Sequence, residues 1–308
     1  MKIVITGASG NFGQAAVRLL LEKVPASDLI LMSRKPEKLA EFAALGAIVR
    51  QGDFDDKASM EAAFAGGERM LLISGVKVGH RVAQHGRAIG AAKAAGVKHI
   101  AYTSFIGASS DNPALVTGDH VGTEALLRAS GLAWTALRDG QYADAMSDAA
   151  APLAVRAGRW LASAGEGRIS FVAREDCIRT AVAVLTGTGH ENRVYNVTGN
   201  ETWSFREVAA LTAEIAGVPI DYVVVSDEEL YAFWDSLGIP REPISEFNVD
   251  GVAWCSDDMV SFERAIREGH MAITSTDIET ITGAPALSFR DFMYSRADAL
   301  RAIPATAG

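Results

Sequence analysis

The strongest constraint on this chain lies at its start, where Lys2-Ile3-Val4-Ile5-Thr6 runs directly into Gly7-Ala8-Ser9-Gly10-Asn11-Phe12-Gly13. The apolar run reads as a buried strand, and Ala15, Ala16, Leu19 and Leu20 then recur at helical spacing. A strand that breaks at a glycine turn and continues as a helix is the sequence form of a dinucleotide site. Gly7 permits the tight turn, Gly10 lets a pyrophosphate approach the backbone, and Gly13 lets the helix pack closely on its strand. The helix N-terminus adds free N–H groups and a partial positive charge.

The second strand, Asp28 to Met32, ends in Ser33-Arg34-Lys35, about 20 residues past the last motif glycine. An NAD site places a carboxylate there for the ribose 2′-hydroxyl. This chain has Arg34, whose guanidinium can grip a 2′-phosphate in bidentate fashion and stack on the adenine. The expected cofactor is therefore NADP(H).

Strand and helix patterns alternate through the first half. Strands are expected near 2–6, 28–32, 47–50, 69–74, 98–103 and 133–137, with helices at 11–23, 36–44, 57–65, 79–95 and 119–130. Such alternation means a parallel sheet with helices on both faces, and the phosphate turn selects a doubly wound Rossmann-type α/β fold over a barrel. From about 150 the rhythm changes to short strands near 159–162 and 193–198 among helices. The reading is a Rossmann domain over 1–150, with the strand near 193–198 added to its sheet, and a smaller α/β substrate lobe over 151–308. Two helix starts carry the capping-box pattern, Ser204 to Glu207 and Thr276 to Glu279. Phe233, Trp234, Phe247, Trp254 and Phe262 form an aromatic-rich stretch that is either plain core or the roof of an apolar pocket.

Charge and cysteine usage narrow the function classes. A formal charge of −9 argues against a general binder of nucleic acid or anionic membrane. Cys177 and Cys255 are far apart and lack a C-x-x-C partner, and the histidines have no ligand spacing, so neither a disulfide framework nor a metal site is expected. The first residues are already strand, no apolar run reaches about 18 residues, and a soluble cytoplasmic protein is expected. No Gly-x-Ser-x-Gly elbow of a hydrolase is present.

At several points the chain resembles the NmrA-like branch of the atypical short-chain dehydrogenase/reductases, and within it the triphenylmethane reductases and type 2 NAD(P)H:quinone oxidoreductases. The residues that carry the likeness are Gly7 to Gly13, Ser33-Arg34, Gly52-Asp53-Phe54, Leu72 to Gly75, Gly96 to Tyr102, Thr123-Glu124 and Leu137 to Tyr142, with Gly189 to Asn192 and Leu287 to Phe289 beyond them. The resemblance implies that Gly7, Ser9, Gly10, Asn11, Phe12 and Gly13 hold the ribose and phosphates, that Arg34 holds the 2′-phosphate, and that Asp53 and Phe54 lie beside the adenine. It puts Ser74 and Gly75 under the cofactor, and Thr103, Ser104 and the Gly140 to Tyr142 loop at the nicotinamide. A flat acceptor would stack near Phe105, Tyr142 and Met146.

One absence bears on mechanism. Many short-chain dehydrogenases use Tyr-x-x-x-Lys on the helix after the fifth strand, where the ammonium lowers the phenol pKa for proton transfer to a carbonyl. Here Lys98 is the last lysine of the chain, and His120 and Glu124 stand at the corresponding spacing. Ordinary alcohol–ketone chemistry is thus disfavoured. The expected activity is NADPH-dependent hydride transfer to an electron-poor quinone, carbonyl or quinoid aromatic small molecule, with His120 and Tyr142 as candidate proton donors. The alternative is an NmrA-type regulator that binds NADP(H) and senses redox state without turnover.

Overall fold

The computed structural model describes residues 1–243 and 255–304. Two compact units interleave along the chain. The first comprises Met1–Phe105, Asp119–Arg138 and Cys177–Tyr195, and the second Ile106–Gly118, Asp139–Asp176 and the remainder from Asn196. The division therefore crosses the sequence several times, with 139–150 in the second unit and 177–195 in the first.

The alternating half forms β1 (Ile3–Ile5), α1 (Asn11–Leu21), β2 (Leu29–Ser33), α2 (Ala40–Ala44), β3 (Ile48–Gln51), α3 (Lys57–Phe64), β4 (Arg69–Leu72), α4 (Arg81–Ala94), β5 (His99–Phe105), α5 (Leu115–Ala129) and β6 (Ala133–Asp139). A seven-stranded sheet runs in the order Arg193–Val197, β6, β5, β4, β1, β2, β3. β1 pairs in parallel with β2 and β4, β2 with β3, and β4 with β5. β1 and β2 are buried at every residue, as expected of parallel strands covered on both faces. On one face Met60, Phe64, Ala88, Ile89, Ala92 and Leu127 pack on Val4, Ile30, Met70, Leu72, Ile100 and Tyr102. The doubly wound α/β fold read from the sequence is the fold observed.

Several local expectations shift. The helix expected over 36–44 is a 3₁₀ turn, Pro36–Leu39, followed by the short α2. α5 starts at Leu115 rather than 119 because Asn112 organises its entry: its side chain accepts the Ala114 N–H at 3.0 Å, and Thr117 Oγ1 donates to the Ala114 carbonyl at 2.6 Å. Gly118, which resembles a breaker in sequence, is carried inside the helix. The Ser204–Glu207 capping box forms, and its helix Phe205–Ala216 stops at Gly217 in the left-handed conformation. Thr276 makes no side-chain cap; the box that does form beside it in kind is Ser226–Glu229, which the sequence reading passed over. Of the aromatic stretch, Phe247 and Trp254 lie outside the described residues, while Phe233 and Trp234 pack together at 4.9 Å on the helix Asp227–Ser236.

The second unit contains a carboxylate held in an unusual state. Glu263, on the helix Ser256–Arg267, accepts the backbone N–H groups of Ser163 (2.5 Å) and Ala164 (3.1 Å). Burial raises its pKa from 4.5 to about 7, the two N–H groups oppose that rise, and Asp227 nearby adds to it. Because the folded pKa is raised, the stability linked to this group is complete below pH 4.5 and is lost as pH rises through about 7. Glu263→Gln keeps the amide oxygen as acceptor without the charge. Urea unfolding is expected to show the variant more stable than wild type at pH 8, by about 3 kcal/mol, and equal to it at pH 4.5. Parallel pH curves for the two proteins would refute this.

Candidate cofactor and active site

The strand order reverses at β1, with β2 and β3 on one side and β4 and β5 on the other. The crevice at the carboxyl ends of β1 and β4 is thus the topological switch point, where open α/β sheets take their ligands. The glycine turn sits there. Gly7 has φ +57°, a conformation that favours glycine, and its carbonyl accepts the Gly10 N–H at 3.0 Å. A Cβ on Gly13 would lie 2.4 Å from the Gly7 carbonyl oxygen and 2.7 Å from Ala8 Cα, so α1 approaches the turn more closely than any side chain allows. Gly10 caps α1 without a side-chain bond, and the first turn holds no acidic residue. The helix N-terminus therefore offers its N–H groups and dipole to an anion, and a pyrophosphate fits this set.

The β2 end is stitched to the turn. Ser9 Oγ lies 2.8 Å from Ser33 Oγ, which also accepts the Lys35 N–H at 2.9 Å. Between them Arg34 is exposed and, among the described residues, has no hydrogen-bond or ion-pair partner. At the end of β3, Asp53 accepts the Asp55 N–H at 3.0 Å, which closes an ordinary Asx turn, and its own N–H donates to Ser59 Oγ. Phe54 packs against the core with its ring 5.9 Å, edge-on, from His85, and its carbonyl accepts from Arg87 Nε.

The loop after β4 is held by side chains instead of by a neighbouring strand. The Ile73 N–H donates to Thr6 Oγ1 (2.9 Å), Ser74 to Thr103 Oγ1 (2.8 Å), Gly75 to His85 Nε2 (3.0 Å) and Gly79 to Asp119 Oδ2 (2.7 Å). These bonds fix the tautomer of His85. A backbone N–H only donates, so Nε2 is the acceptor and Nδ1 carries the proton, which goes to Thr123 Oγ1 at 2.9 Å; that hydroxyl donates in turn to the Asp119 carbonyl. Burial, reinforced by Arg81, lowers the His85 pKa to about 3, so the accepting tautomer persists at ordinary pH.

His120 and Glu124 lie one helical turn apart on α5, both buried. His120 is not at a helix start, since α5 begins five residues earlier. Its Nδ1 lies 2.8 Å from Tyr102 Oη and its Nε2 3.4 Å from Arg81 Nη1. Arg81 only donates, so Nδ1–H faces the phenol. Burial first, then Arg81 and His85, hold the His120 pKa well below 6.5, and the ring is neutral. Burial raises the pKa of Tyr102. Glu124 stands where the dehydrogenase lysine would, and inverts its charge. It accepts Ser104 Oγ (2.8 Å), a bidentate fork from Arg138 (2.8 Å each) and Arg128 (2.9 Å). Ser104 gives its proton to Glu124, and so offers a ligand only lone pairs. Phe105 ends β5 with its ring 5.8 Å from that of His120.

Tyr142 and Met146 belong to the second unit. The Tyr142 hydroxyl donates to Asp139 Oδ2 at 2.9 Å and its ring lies under the Arg174 guanidinium, 5.4 Å away. Met146 is buried at the start of a single π-helical turn. Among the described residues no group of three His, Cys, Asp or Glu side chains is placed to hold a metal ion, and no helix is long and apolar enough to cross a membrane. Sequence reasoning missed His85, Asp119 and Arg81. Asking what accepts the N–H groups of a loop leaving a buried strand points to His85 and Asp119; nothing in the local pattern marks Arg81.

A Rossmann-type sheet with an uncapped glycine turn at its switch point defines a nicotinamide-dinucleotide protein. The profile of an NAD(P)H-binding family matches residues 7–186, and the chain belongs to that family. It is 39% identical to quinone oxidoreductase 2 of Escherichia coli over 77% of this chain and 82% of that one. The crystal structure of that enzyme with NADPH superposes with a TM-score of 0.86 at 34% identity, covering 95% of this chain and 99% of that one. NAD(P)H azoreductase of Xenophilus azovorans is 30% identical over 97% and 99% of the two chains. Triphenylmethane reductase of Citrobacter sp., solved with NADP(H), gives a TM-score of 0.83 at 31% identity over 96% and 100%.

Proposed function

We propose that this chain is an NADPH-dependent reductase that passes hydride to electron-poor quinones and related conjugated acceptors. The observation that carries the reading is an open dinucleotide turn beside a crevice whose imidazoles are neutral and hydrogen-bonded and whose Ser104 proton is already given away. Such a site positions reactants and supplies no acid matched to neutral pH, which suits acceptors that need no concerted protonation. The bound cofactor supplies the hydride. Gly7, Ser9, Gly10, Asn11, Phe12 and Gly13 cradle its phosphates, Asp53 and Phe54 border the adenine, Ser74 and Gly75 run under the ribose, and Thr103 and Ser104 close the nicotinamide end. His120 acts by holding Tyr102 and the wall of the crevice. Three relatives that span nearly the whole chain at 30% identity or more are named as an NAD(P)H azoreductase, an NADPH-dependent quinone oxidoreductase and a triphenylmethane reductase, which favours turnover over redox sensing.

The test is NADPH oxidation by the purified protein with a panel of quinones against a protein-free blank. Turnover is expected; a flat trace from folded, NADPH-saturated protein would return the regulator reading. Arg34 is assigned to the 2′-phosphate. In Arg34→Ala the Kd for NADPH is expected to rise by about 10- to 100-fold, from loss of a charged hydrogen-bonding pair worth about 1.5–3 kcal/mol, while that for NADH stays within about twofold. Equal losses on both cofactors, read by protein fluorescence, would remove Arg34 from that role.

A further inference from the structure

Arg81 is a cation without a counter-ion in a place where the fold gives it no reward. It is the first residue of α4, so its charge faces the positive end of the helix dipole, where acidic residues are the stabilising choice. Its Nε is buried with no hydrogen-bond partner, and its single recorded polar contact is the 3.4 Å approach of Nη1 to the neutral His120. Among the described residues it forms no ion pair. Asp119 accepts the Gly79 N–H at 2.7 Å and is not within ion-pair reach of it. The other titratable neighbours, His85, His120 and Tyr102, are all uncharged at neutral pH.

The position in the fold says what the charge faces. A dinucleotide lies across the switch point, with its adenosine half toward β2 and its nicotinamide toward β4 and β5. Arg34 marks the first end. Arg81 follows the β4 loop and meets α5 at His120, whose ring packs on Phe105 at the carboxyl end of β5, so it marks the other. We propose that Arg81 binds the negative oxygen that forms on the acceptor during reduction, and that it thereby selects neutral quinones over cationic dyes.

The acceptor takes hydride from the reduced nicotinamide, a new C–H or O–H bond forms on the quinone, and the cofactor is oxidised by two electrons. The electron pair displaced from the conjugated carbonyl system rests on oxygen, as the hydroquinone monoanion where an O–H bond forms and as its keto-enolate tautomer where a C–H bond forms, and that oxygen accepts a hydrogen bond from the guanidinium. A proton from water completes the hydroquinone on release. A cationic triarylmethane becomes neutral when it takes hydride, so Arg81 repels it at the outset and gains nothing in the product.

This inference rests on the reductase reading, and its test keeps the two apart. A nitrophenol, whose visible absorbance reports its ionisation, serves as a mimic of the monoanion and is titrated into the protein saturated with NADP⁺. In wild type it is expected to bind as the anion, with its apparent pKa lowered; Arg81→Met should weaken that binding by about tenfold or more and abolish the shift, Arg81→Lys should restore part of it, and the Kd for NADPH should stay within about twofold. In parallel, kcat/KM for a neutral benzoquinone is expected to fall by about 100-fold in Arg81→Met, the scale of losing one oxyanion donor, while that for a cationic dye does not fall. A wild type that fails to bind the anion, or an Arg81→Met protein that chiefly loses NADPH affinity, overturns the assignment even if quinones are turned over. Absence of quinone turnover in wild type, with the anion bound through Arg81, would fault the reductase reading and leave the anion site standing.

Discussion

Gly13→Ala is expected to abolish tight cofactor binding. The added Cβ would meet the Gly7 carbonyl oxygen at 2.4 Å and Ala8 at 2.7 Å, and the three nearest atoms it meets are backbone, so these clashes cannot be relieved by a side chain swinging aside. The turn must open or α1 must retreat from β1. Overpacking of this kind costs about 3 kcal/mol, enough to raise the Kd for NADPH by about 100-fold if it falls on the turn, and to lower the melting temperature if it falls on the α1 packing. Gly10→Ala provides the contrast. Its Cβ would sit 3.4 Å from the same oxygen, a tolerable contact, so the fold should survive and any loss of affinity reports on the space a pyrophosphate needs. Fluorescence titration and thermal melts on both variants decide the matter; wild-type Kd and melting temperature in Gly13→Ala would mean that the turn is not the cofactor cradle described.

The second large effect is expected at Glu124. Its carboxylate is 1% exposed and binds Ser104, Arg138 and Arg128 at once. Glu124→Leu leaves the Ser104 hydroxyl and the Arg138 fork without their acceptor, and removing one member of such a buried set costs about 3 kcal/mol. Part of that cost belongs to the orphaned guanidinium. The double variant Glu124→Leu, Arg138→Leu should therefore be more stable than Glu124→Leu alone, and additive losses in chemical denaturation would contradict the account. The pH dependence has a fixed sign. Burial pushes the Glu124 pKa up, but the hydrogen bonds from Arg138, Ser104 and Arg128 outweigh it and the pKa lies below 4.5. The stability from this group is therefore present above the ordinary carboxylate range and is lost as pH falls through the lowered value. Wild type should lose its advantage over Glu124→Gln in acid, the opposite limb from Glu263.

The sheet and the glycine turn were legible because both are local. Ile3 to Ile5 and Leu29 to Ser33 are apolar runs of strand length, and the turn is written in seven consecutive residues. The place of Arg34 at the end of β2 was legible for the same reason, being fixed by its distance along the chain from Gly13. The walls of the crevice were not. His85, Thr123 and Asp119 meet across 38 residues, and Ser104, Glu124 and Arg138 across 34, so the first cluster exists only once α4 and α5 are in place and the second only once β5, α5 and β6 are. His120 was found as a substitute for the missing tyrosine, but its neutrality comes from burial against Tyr102 and Arg81, which no spacing rule reports. The start of α5, expected at 119, lies at Leu115 because the Asn112 side chain accepts the Ala114 N–H upstream of it.

The side-chain anchoring of the β4 loop sets limits on how this protein can be altered. Thr6, Thr103, His85 and Asp119 come from four separate elements, and each accepts from one particular backbone N–H between Ile73 and Gly79. Adding or deleting one residue in that segment would shift every donor beyond the change past its acceptor. The β2 end carries no such ratchet: the Ser9 hydroxyl, the Lys35 N–H and the Gly52 N–H all converge on Ser33, and Arg34 just beyond it is exposed. The two ends of the crevice thus differ in evolvability: residues 34–38 are open to length change and to grafting from relatives of other cofactor preference, whereas 73–79 accepts changes of side chain only at constant length.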